Sequence, residues 1–561
     1  MQRQIEVIVP KLKEGEKLIG RTVSLCPVCY RRLPALLYVK DNKVFMRKIC
    51  PEHGEFEEIY WGDYELYKKA MRFYVKTNKI WGFNTKISKG CPFDCGYCPA
   101  HLNQTALANL VVTNRCDLSC WYCFFYAERA GYVYEPSLED IRKMIRILKK
   151  QGPFAPTAVQ LTGGEPLLRE DLVEIVKLLK EEGITHVQLN TTGILFAKLW
   201  VYESPEKAIE YARALRKAGV NTVYMSFDGV TPKTNPKNHW EVPYILETFR
   251  RAGMTSVVLV PVVIRGMNTH ELGDIIRFAA YQMDVVRGVN FQPISITGSV
   301  PKEQRMRFRI TIPDVIKLIE EQTNGEIPKD AWYPVPWTYA FSEFVEAITK
   351  KPALKMVNHP ACGMATYVFP IFEKRKLVKF IPITDFIDVE GLYEYMLEKA
   401  REIKQGKKGR IRVILGFLRA VGKFIDFKRV PKGLHIRRML IKMVIKRNYK
   451  ALGEFHEKAL FLGMMHFQDL YNYDLARVVR CNISYLVPDG RLIPFCAFNV
   501  LENIYRDKIQ KEYSIPIDKW IEIKGKNTIG DAIKYKRDVK KLTQSEIYWK
   551  TYELFLKQKQ S

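Results

Sequence analysis

The sequence lacks the features of a membrane-spanning or secreted protein. No apolar run reaches the ~18 residues that cross a bilayer, and the amino end has no charged-then-apolar layout typical of a signal peptide. Cysteine is scarce, with 12 among 561 residues, and most of these cysteines lie in tight clusters rather than in the pattern of a disulfide scaffold. We therefore expect an intracellular protein, from an anoxic cytoplasm if these clusters bind oxygen-sensitive groups.

One cysteine pattern occurs twice, and its two copies begin 25 residues apart. Each copy has the spacing Cys-x3-Cys-x2-Cys, with a tyrosine before the last cysteine. The members are Cys91, Cys95, Tyr97 and Cys98 in the first triplet and Cys116, Cys120, Tyr122 and Cys123 in the second triplet. Three close thiolates suit an iron–sulfur cluster, and a cubane held by only three cysteines leaves one iron open to an exchangeable ligand. That open iron is where we expect chemistry.

A glycine-rich motif follows the second triplet. A strand-like run over 158–161 leads into Thr162-Gly163-Gly164-Glu165-Pro166. The two glycines leave the backbone uncovered by side chains, so a charged ligand can approach it closely. Glu165 is then placed to pair with an ammonium group.

The second triplet and the Gly-Gly-Glu-Pro motif together resemble the radical S-adenosylmethionine (SAM) superfamily. In that family, the amino and carboxylate groups of SAM bind the open iron, and an electron from the cluster releases a 5′-deoxyadenosyl radical. A strand-like run precedes Cys116, as a barrel requires, whereas the residues before Cys91 are polar. We therefore assign the second triplet to SAM and the first to an auxiliary cluster.

Strand-like and helical segments alternate between residue 109 and about residue 298. The strand-like runs lie near 110–114, 157–162, 186–191, 222–227, 256–264 and 288–294. Ser137 with Asp140 predicts a helix start, and Gly183, Gly219 and Gly253 predict helix ends. Six β-then-α units imply a parallel sheet with right-handed crossovers, and the resemblance makes this α/β fold a partial (β/α)6 barrel.

Ligands of such barrels gather at the carboxyl ends of the strands. By the same resemblance, polar groups at these ends contact SAM. The expected cofactor-binding residues are Tyr122, Gly163, Gly164, Glu165, Asn190, Thr192, Ser226 and Asp228.

Two further groups of metal-binding side chains are predicted. Near the amino end, Cys26, Cys29, Cys50 and His53 form two knuckles suited to zinc or to a rubredoxin-like iron, either functional or purely structural. Near the carboxyl end, a turn at 488–490 predicts a hairpin that brings two distant cysteines together. The resemblance favours an auxiliary cluster there, against unrelated buried thiols. Its candidate ligands are Cys362, Cys481 and Cys496.

The net charge of +28 is concentrated in residues 401–450, which contain 17 lysines and arginines against Glu402 and Asp426, a net of +15. Apolar residues interleave with this charge, which favours a pair of basic amphipathic helices on an anionic membrane surface. Nucleic acid also binds positively charged segments, but aromatic side chains that could stack on its bases are few here. The third interpretation is that these charged residues form an ordinary solvent-exposed surface. The residues expected to contact lipid are Ile436, Arg437, Arg438, Leu440, Lys442, Val444 and Lys446.

The combination of these features resembles a narrow group within the superfamily, the archaeal tetraether lipid synthases. That resemblance implies carbon–carbon bond formation between terminal methyl carbons of isoprenoid chains in archaeal diether phospholipids. It implies SAM, three 4Fe–4S clusters and one mononuclear iron or zinc. The expected partners are the phospholipid, the membrane surface and an electron donor such as ferredoxin, with no nucleic acid, at a cytoplasmic site peripheral to the inner membrane.

Three other functions remain open at this point. A radical SAM methylase of a pterin coenzyme or another small molecule explains the cofactor motifs but leaves the basic region without a role. A membrane-docked iron–sulfur electron-transfer protein explains clusters and charge but not the barrel. A nucleic-acid-modifying enzyme is the third.

Four regions are expected along the chain. They are a metal ribbon over 1–85, the auxiliary cluster and SAM barrel over 86–300, a substrate-covering region with basic helices over 301–455, and an auxiliary-cluster hairpin region over 456–561.

Overall fold

The computed structural model describes residues 8–76, 79–125, 130–407, 409–436 and 455–557. Its amino-terminal part is a four-stranded antiparallel sheet in the order β1-β2-β3-β4, followed by one helix. The bounds are β1 (Lys17–Leu25), β2 (Arg32–Lys40), β3 (Lys43–Cys50), β4 (Gly54–Trp61) and α1 (Tyr64–Met71). The turn between β1 and β2 carries one predicted knuckle and the turn between β3 and β4 carries the other, so the fold brings the two knuckles together.

A predominantly parallel sheet with helices between its strands follows. Its elements are β5 (Leu107–Thr113), β6 (Tyr132–Val133), α2 (Leu138–Leu148), β7 (Ala158–Gly163), α3 (Leu172–Glu181), β8 (His186–Thr191), α4 (Ile194–Lys198), α5 (Pro205–Ala218), β9 (Val220–Ser226), α6 (Val242–Ala252), β10 (Val257–Val260), β11 (Val262–Val263), α7 (Leu272–Tyr281) and β12 (Val286–Pro293). The strands lie in the order β5-β7-β8-β9-β10-β12, with every neighbouring pair parallel. The six predicted strands are confirmed.

The signals for helix boundaries also agree with the structure. Ser137 accepts a hydrogen bond from the backbone of Asp140, whose carboxylate accepts from the backbone of Ser137, a capping box that starts α2. Gly219 and Gly253 end α5 and α6 with positive φ angles of +129° and +73°. Gly183 lies just beyond the end of α3 and also has a positive φ.

The carboxyl-terminal half both covers and extends the barrel. Its elements are α8 (Arg305–Phe308), α9 (Ile312–Gln322), β13 (Tyr333–Pro334), α10 (Thr338–Thr349), β14 (Gly363–Glu373), β15 (Lys376–Pro382), α11 (Val389–Lys404), α12 (Arg410–Ala420), β16 (Leu460–Met465), α13 (Leu475–Val478), β17 (Ile483–Leu486), β18 (Leu492–Pro494), α14 (Phe495–Val500), α15 (Arg506–Glu512), β19 (Ile515–Pro516), α16 (Ile517–Lys524), α17 (Val539–Thr543) and α18 (Glu546–Lys557). Strand β16 pairs in parallel with β12, and β17 pairs in parallel with β5. The parallel sheet is therefore wider at both edges than the six predicted strands.

The last three cysteines lie next to these edge strands or their antiparallel neighbours. Strand β17 forms a hairpin with β18, with its turn at the predicted position. Cys481 precedes β17, Cys496 follows β18, and Cys362 precedes β14, which pairs antiparallel with β16. The predicted hairpin is present, and β14 delivers the third cysteine to the same side of the molecule.

The basic region is described only in part. In α12, Val413 and Phe417 are buried, whereas Ile411 and Leu415 are exposed. Of the residues expected to contact lipid, Ile436 is buried in the protein core, which removes it from any lipid-facing surface. The remaining six lie outside the described residues: Arg437, Arg438, Leu440, Lys442, Val444 and Lys446. Among the described helices, none is long and apolar enough to span a membrane.

Candidate active site

The loop that carries the second cysteine triplet follows β5 directly and is fixed by the end of β7. The backbone N–H of Gly164 donates to the carbonyl of Thr113 at 2.9 Å, and that of Glu165 donates to the carbonyl of Arg115 at 2.8 Å. A Cβ on Gly164 would lie 2.1 Å from the Arg115 oxygen, and Gly163 has a φ of +142°. Only glycines permit this approach, so the Gly-Gly-Glu-Pro motif positions the cysteine loop.

Glu165 lies buried behind this contact and both of its carboxylate oxygens accept hydrogen bonds. One oxygen accepts from the hydroxyl of Thr191 and the N–H of Leu167, and the other from the N–H and hydroxyl of Thr192 at 2.8 and 2.7 Å. Burial raises the pKa of Glu165, while these donors oppose the shift. Glu165 and Thr192 are therefore joined, as their common edge of the sheet predicts, while the pairing of Glu165 with an ammonium group stays a prediction.

A second group of predicted residues is organised by a lysine that the sequence pattern did not identify. The ammonium of Lys237 lies 2.8 Å from the Asp228 carboxylate and 3.2 Å from the Ser226 hydroxyl. Tyr122, in the cysteine loop, donates its hydroxyl proton to Asp228. Burial lowers the pKa of Lys237, but the charges of Asp228 and Cys120 outweigh it and raise the pKa overall. Lys237 is thus a buried cation beside the second triplet.

These side chains line a cavity of about 210 Å³ at the carboxyl ends of the strands. Its lining combines the cysteine loop, the Asp228–Lys237 pair and apolar side chains of the β10–α7 segment. The lining includes Cys120, Trp121, Tyr122, Asp228, Lys237, Val262, Ile264 and Met267. Asn190 does not line this cavity, and its amide donates to the hydroxyl of Thr162 at 3.3 Å.

The chemistry of the second triplet fits a bound iron–sulfur cluster. Burial raises the pKa of Cys116 well above that of a free thiol, and it raises the pKa of Cys120 to about 11. Thiolates in such surroundings require a positive centre, and iron supplies one. Buried Lys237 adds further positive charge beside them.

The amino-terminal knuckles meet as predicted. The ligand atoms of Cys26, Cys29, Cys50 and His53 all lie within 4.8 Å of one another. The Nδ1 atom of His53 is 3.4 Å from the sulfur of Cys50 and 3.6 Å from that of Cys26. Burial raises the pKa of Cys50, but the hydrogen bond with His53 and those with Cys26 and neighbouring backbone groups together outweigh burial and lower the pKa to about 7. Three sulfurs and one nitrogen in this arrangement suit tetrahedral zinc.

Members of the other two cysteine groups pack in one buried cluster, which Cys123 of the second triplet also contacts. Cys95 and Cys496 both belong to it, with Cys91 and Cys481 packed against it. Burial raises the pKa of Cys481 to about 12, and the charges of Cys496 and Cys362 act in the same direction. The structure therefore brings the three carboxyl-terminal cysteines into mutual proximity and sets them beside the first triplet.

Comparisons with known proteins agree with this site. The profile of the Radical SAM superfamily matches residues 110–279, and that of the HMPTM N-terminal zinc ribbon domain matches residues 18–62. The chain is 46% identical, over 509 residues, to 7,8-dihydro-6-hydroxymethylpterin dimethyltransferase of Methanocaldococcus jannaschii, covering 89% of this chain and 96% of that protein. It is 32% identical to a probable GTP 3′,8-cyclase of Methanothermobacter marburgensis, covering 38% of this chain and 66% of that protein.

Similar solved structures are radical SAM enzymes or their relatives. The FeFe-hydrogenase maturase HydG of Carboxydothermus hydrogenoformans aligns at 19% identity and a TM-score of 0.30, covering 40% of this chain and 52% of that chain. Coproporphyrinogen III oxidase of Escherichia coli, a radical SAM enzyme, aligns at 14% identity and a TM-score of 0.27, covering 39% and 52%.

The pterin-enzyme relative corrects the narrower resemblance drawn from the sequence. The interpretation as a tetraether lipid synthase, with a phospholipid substrate and a membrane surface as partners, is wrong, because this relative is a pterin dimethyltransferase that the chain matches over nearly its whole length. The physical reason for the error is that a basic, apolar segment is not specific for lipid. The radical SAM domain, the zinc ribbon and the α/β fold are confirmed.

Proposed function

The chain belongs to the radical SAM family of the Methanocaldococcus jannaschii 7,8-dihydro-6-hydroxymethylpterin dimethyltransferase, and we propose that it methylates a pterin. The observation that carries this proposal is the 46% identity over 89% of this chain and 96% of that enzyme. A pterin methylase was one of the functions that the cofactor motifs left open. It needs no role for the basic region in membrane binding.

In this proposal, Cys116, Cys120 and Cys123 hold the 4Fe–4S cluster that binds SAM. When bound, SAM would supply a 5′-deoxyadenosyl radical for removal of a hydrogen atom from the substrate, and a further SAM molecule would supply the methyl group that replaces it. The residues proposed to hold SAM are Tyr122, Gly163, Gly164, Glu165, Asn190, Thr192, Ser226 and Asp228. Their role is supported by their position at or just beyond the carboxyl ends of the strands, and Tyr122 and Asp228 also line the cavity beside the cysteine loop.

The lining of the cavity suits a flat, polar heterocycle. Trp121 is 37% exposed and offers an aromatic face, while Val262 and Ile264 provide an apolar wall. Lys237 can donate a hydrogen bond to a ring carbonyl or nitrogen without losing Asp228, because an ammonium has three protons. A lining with aromatic, apolar and charged groups can orient a pterin ring. It is less suited to a lipid chain, because such a chain has no polar atoms along its length.

The remaining metal centres are part of the same proposal. Cys91, Cys95 and Cys98 hold a second 4Fe–4S cluster, and Cys362, Cys481 and Cys496 hold a third. The amino-terminal ribbon holds zinc. The proximity of the two auxiliary groups in one buried cluster supports a path for electrons between them.

The test is an anaerobic assay with the full chain, reductant, SAM and 7,8-dihydro-6-hydroxymethylpterin. We expect pterin-dependent release of deoxyadenosine and a pterin product heavier by one or two methyl groups, both lost when the second triplet is replaced by alanine. Replacing the first triplet should leave deoxyadenosine release that is uncoupled from methylation. A lack of pterin product in a preparation that releases deoxyadenosine contradicts the proposal.

A further inference from the structure

A second cavity, away from the proposed substrate site, is built around the first cysteine triplet. Its lining includes all three cysteines of that triplet, and it also includes His101. His101 follows Cys98 by three residues, and its backbone N–H donates to the carbonyl of Cys98 at 2.9 Å in a tight turn. Its side chain is only 6% exposed. The histidine is therefore buried against the space that three thiols enclose.

One hydrogen bond fixes the orientation of this imidazole. Its Nε2 atom lies 2.9 Å from the backbone carbonyl oxygen of Cys481. A carbonyl only accepts hydrogen bonds, so Nε2 carries the proton. The neutral ring then has its lone pair on Nδ1, for which the described part of the chain provides no hydrogen-bond partner. Metal-binding histidines show this arrangement, with one nitrogen donating to a carbonyl and the other free to coordinate.

The other residues around this cavity offer no second nitrogen ligand. Apart from the cysteines, Asp94 is the one other side chain of the lining that could bind a metal. One of its carboxylate oxygens already accepts hydrogen bonds from the backbone N–H groups of Ser88 and Gly90 at 2.7 and 2.6 Å. The remaining lining residues are aliphatic, glycine or proline: Ile87, Gly96, Ala100, Val478, Val479 and Pro494. His101 is thus the nitrogen donor of this lining.

We propose that Nδ1 of His101 is the fourth ligand of the iron–sulfur cluster held by Cys91, Cys95 and Cys98. This inference rests on the cluster assignment made under the proposed function. It makes the first site a closed Cys3His site with no open iron, whereas the second triplet has tyrosine, Tyr126, at the equivalent sequence position. The two identical cysteine patterns then differ in chemistry because of one residue. Only the second leaves an iron open to SAM.

An imidazole ligand changes the properties of a cluster. It replaces an anionic thiolate by a neutral donor, so the cluster carries one negative charge less and is easier to reduce. The proton on Nε2 also links the first site to the backbone of Cys481, in the third cysteine group. His101 thereby joins the two auxiliary sites through one ring.

The test measures the ligand directly. Full-length protein is prepared with 15N-labelled histidine, reconstituted anaerobically without SAM, reduced, and studied by pulsed electron paramagnetic resonance. The cysteines of the second triplet are replaced by alanine to remove their signal. We expect a histidine nitrogen coupled to a cluster. His101→Cys should retain the iron and the cluster signal, lose the nitrogen coupling and lower the midpoint potential.

His466→Gln is the matched control. This histidine is also buried beside a cysteine group, since its backbone N–H donates to the carbonyl of Cys362 at 3.0 Å, and neither of its ring nitrogens has a hydrogen-bond partner among the described residues. We expect it to leave the coupling unchanged. The proposal is overturned if coupling persists in His101→Cys, if it disappears in His466→Gln, or if alanine replacements in the first triplet remove no iron. A coupled nitrogen in protein that fails to methylate pterin contradicts the proposed function alone.

Discussion

At the scale of single residues, the site depends on a buried ion pair. Lys237 and Asp228 are 9% and 3% exposed and neutralise each other beside Tyr122 and the cysteine loop. Two charges in such a position are tolerated because each satisfies the other, and removal of one partner leaves an uncompensated charge. The pair therefore stabilises the barrel mouth, and under the proposed function it also orients the ligands there.

Lys237→Met tests this dependence. We expect it to lower the free energy of unfolding by roughly 3–5 kcal/mol, because the buried carboxylate of Asp228 keeps hydrogen bonds from Tyr122 and Val262 but loses its cationic partner. The double variant Asp228→Asn with Lys237→Met should recover part of that loss, since neither charge remains. Thermal unfolding of reconstituted protein compares the two. A double variant less stable than Lys237→Met would contradict the ion-pair account.

His239 predicts a dependence of the carboxyl-terminal helix on pH. Burial lowers the pKa of this ring, which stacks on Tyr552 and hydrogen-bonds to Tyr548 of α18, to about 3. The unfolded ring titrates near its ordinary value, so the unfolded chain binds the extra proton between about pH 6.5 and pH 3. The stabilisation is therefore present above that window and is lost as the pH falls through it.

We expect the docking of α18 to weaken by on the order of 1–3 kcal/mol between pH 7 and pH 4.5. Hydrogen exchange of residues 546–557 measures this change. His239→Phe should flatten the profile, whereas His270→Phe, at an exposed ring, should leave it as it is. Equal slopes in all three proteins would show that His239 is not the titrating group.

At the scale of elements, the contact between β7 and the cysteine loop is the main constraint. Two backbone hydrogen bonds and two glycines hold the end of β7 against residues 113–115, immediately before Cys116. Any side chain at this contact pushes the loop away from the strand ends. The motif thus acts through its backbone as well as through Glu165.

Gly164→Ala tests that constraint. The substitution adds no backbone strain, so it alters only the short distance between residue 164 and the backbone of Arg115. A Cβ there would lie 2.1 Å from the Arg115 oxygen, whereas a Cβ on Gly409 would meet nothing within 4 Å. We expect Gly164→Ala to reduce iron bound by the second triplet and to destabilise the protein by roughly 1–3 kcal/mol, as overpacking does. Gly409→Ala should change neither quantity. Normal iron content and SAM affinity in Gly164→Ala would mean that the approach is not required.

The elements also show what the sequence could predict. The six strands from 107 to 293 were predictable because their apolar runs alternate with amphipathic helices and end at capping residues such as Ser137 and Gly219. The hairpin of β17 and β18 was also predictable from its turn, but the parallel pairing of β16 with β12 and of β17 with β5 was not, because these partners are more than 150 residues distant and no local pattern specifies such pairing.

The same distinction applies to the site. The cysteines and the Gly-Gly-Glu-Pro motif carry fixed spacings and were identified. Lys237 and His101 were missed because each is an isolated residue whose role depends on neighbours brought together by the fold. The short Cys98-x2-His101 spacing was the one local signal available for the second of them.

At the scale of the whole molecule, metal content tests how the twelve cysteines are divided. Three four-iron clusters give about 12 irons per chain, with one zinc in the ribbon. We expect anaerobic iron, sulfide and zinc analysis to give these values, and each set of alanine replacements to remove about four irons. Only eight irons in the wild-type protein, unchanged by replacement of Cys362, Cys481 and Cys496, would exclude the third cluster.

The central claim is that this radical SAM enzyme acts on a pterin. The most direct measurement follows deoxyadenosine and pterin products together, in one anaerobic reaction with SAM, reductant and 7,8-dihydro-6-hydroxymethylpterin carrying deuterium on its carbon atoms. The account predicts methylated pterin and transfer of deuterium into deoxyadenosine, both lost when Cys116, Cys120 and Cys123 are replaced by alanine. Deoxyadenosine that forms at the same rate without pterin, contains no deuterium and accompanies no methylated product would contradict it.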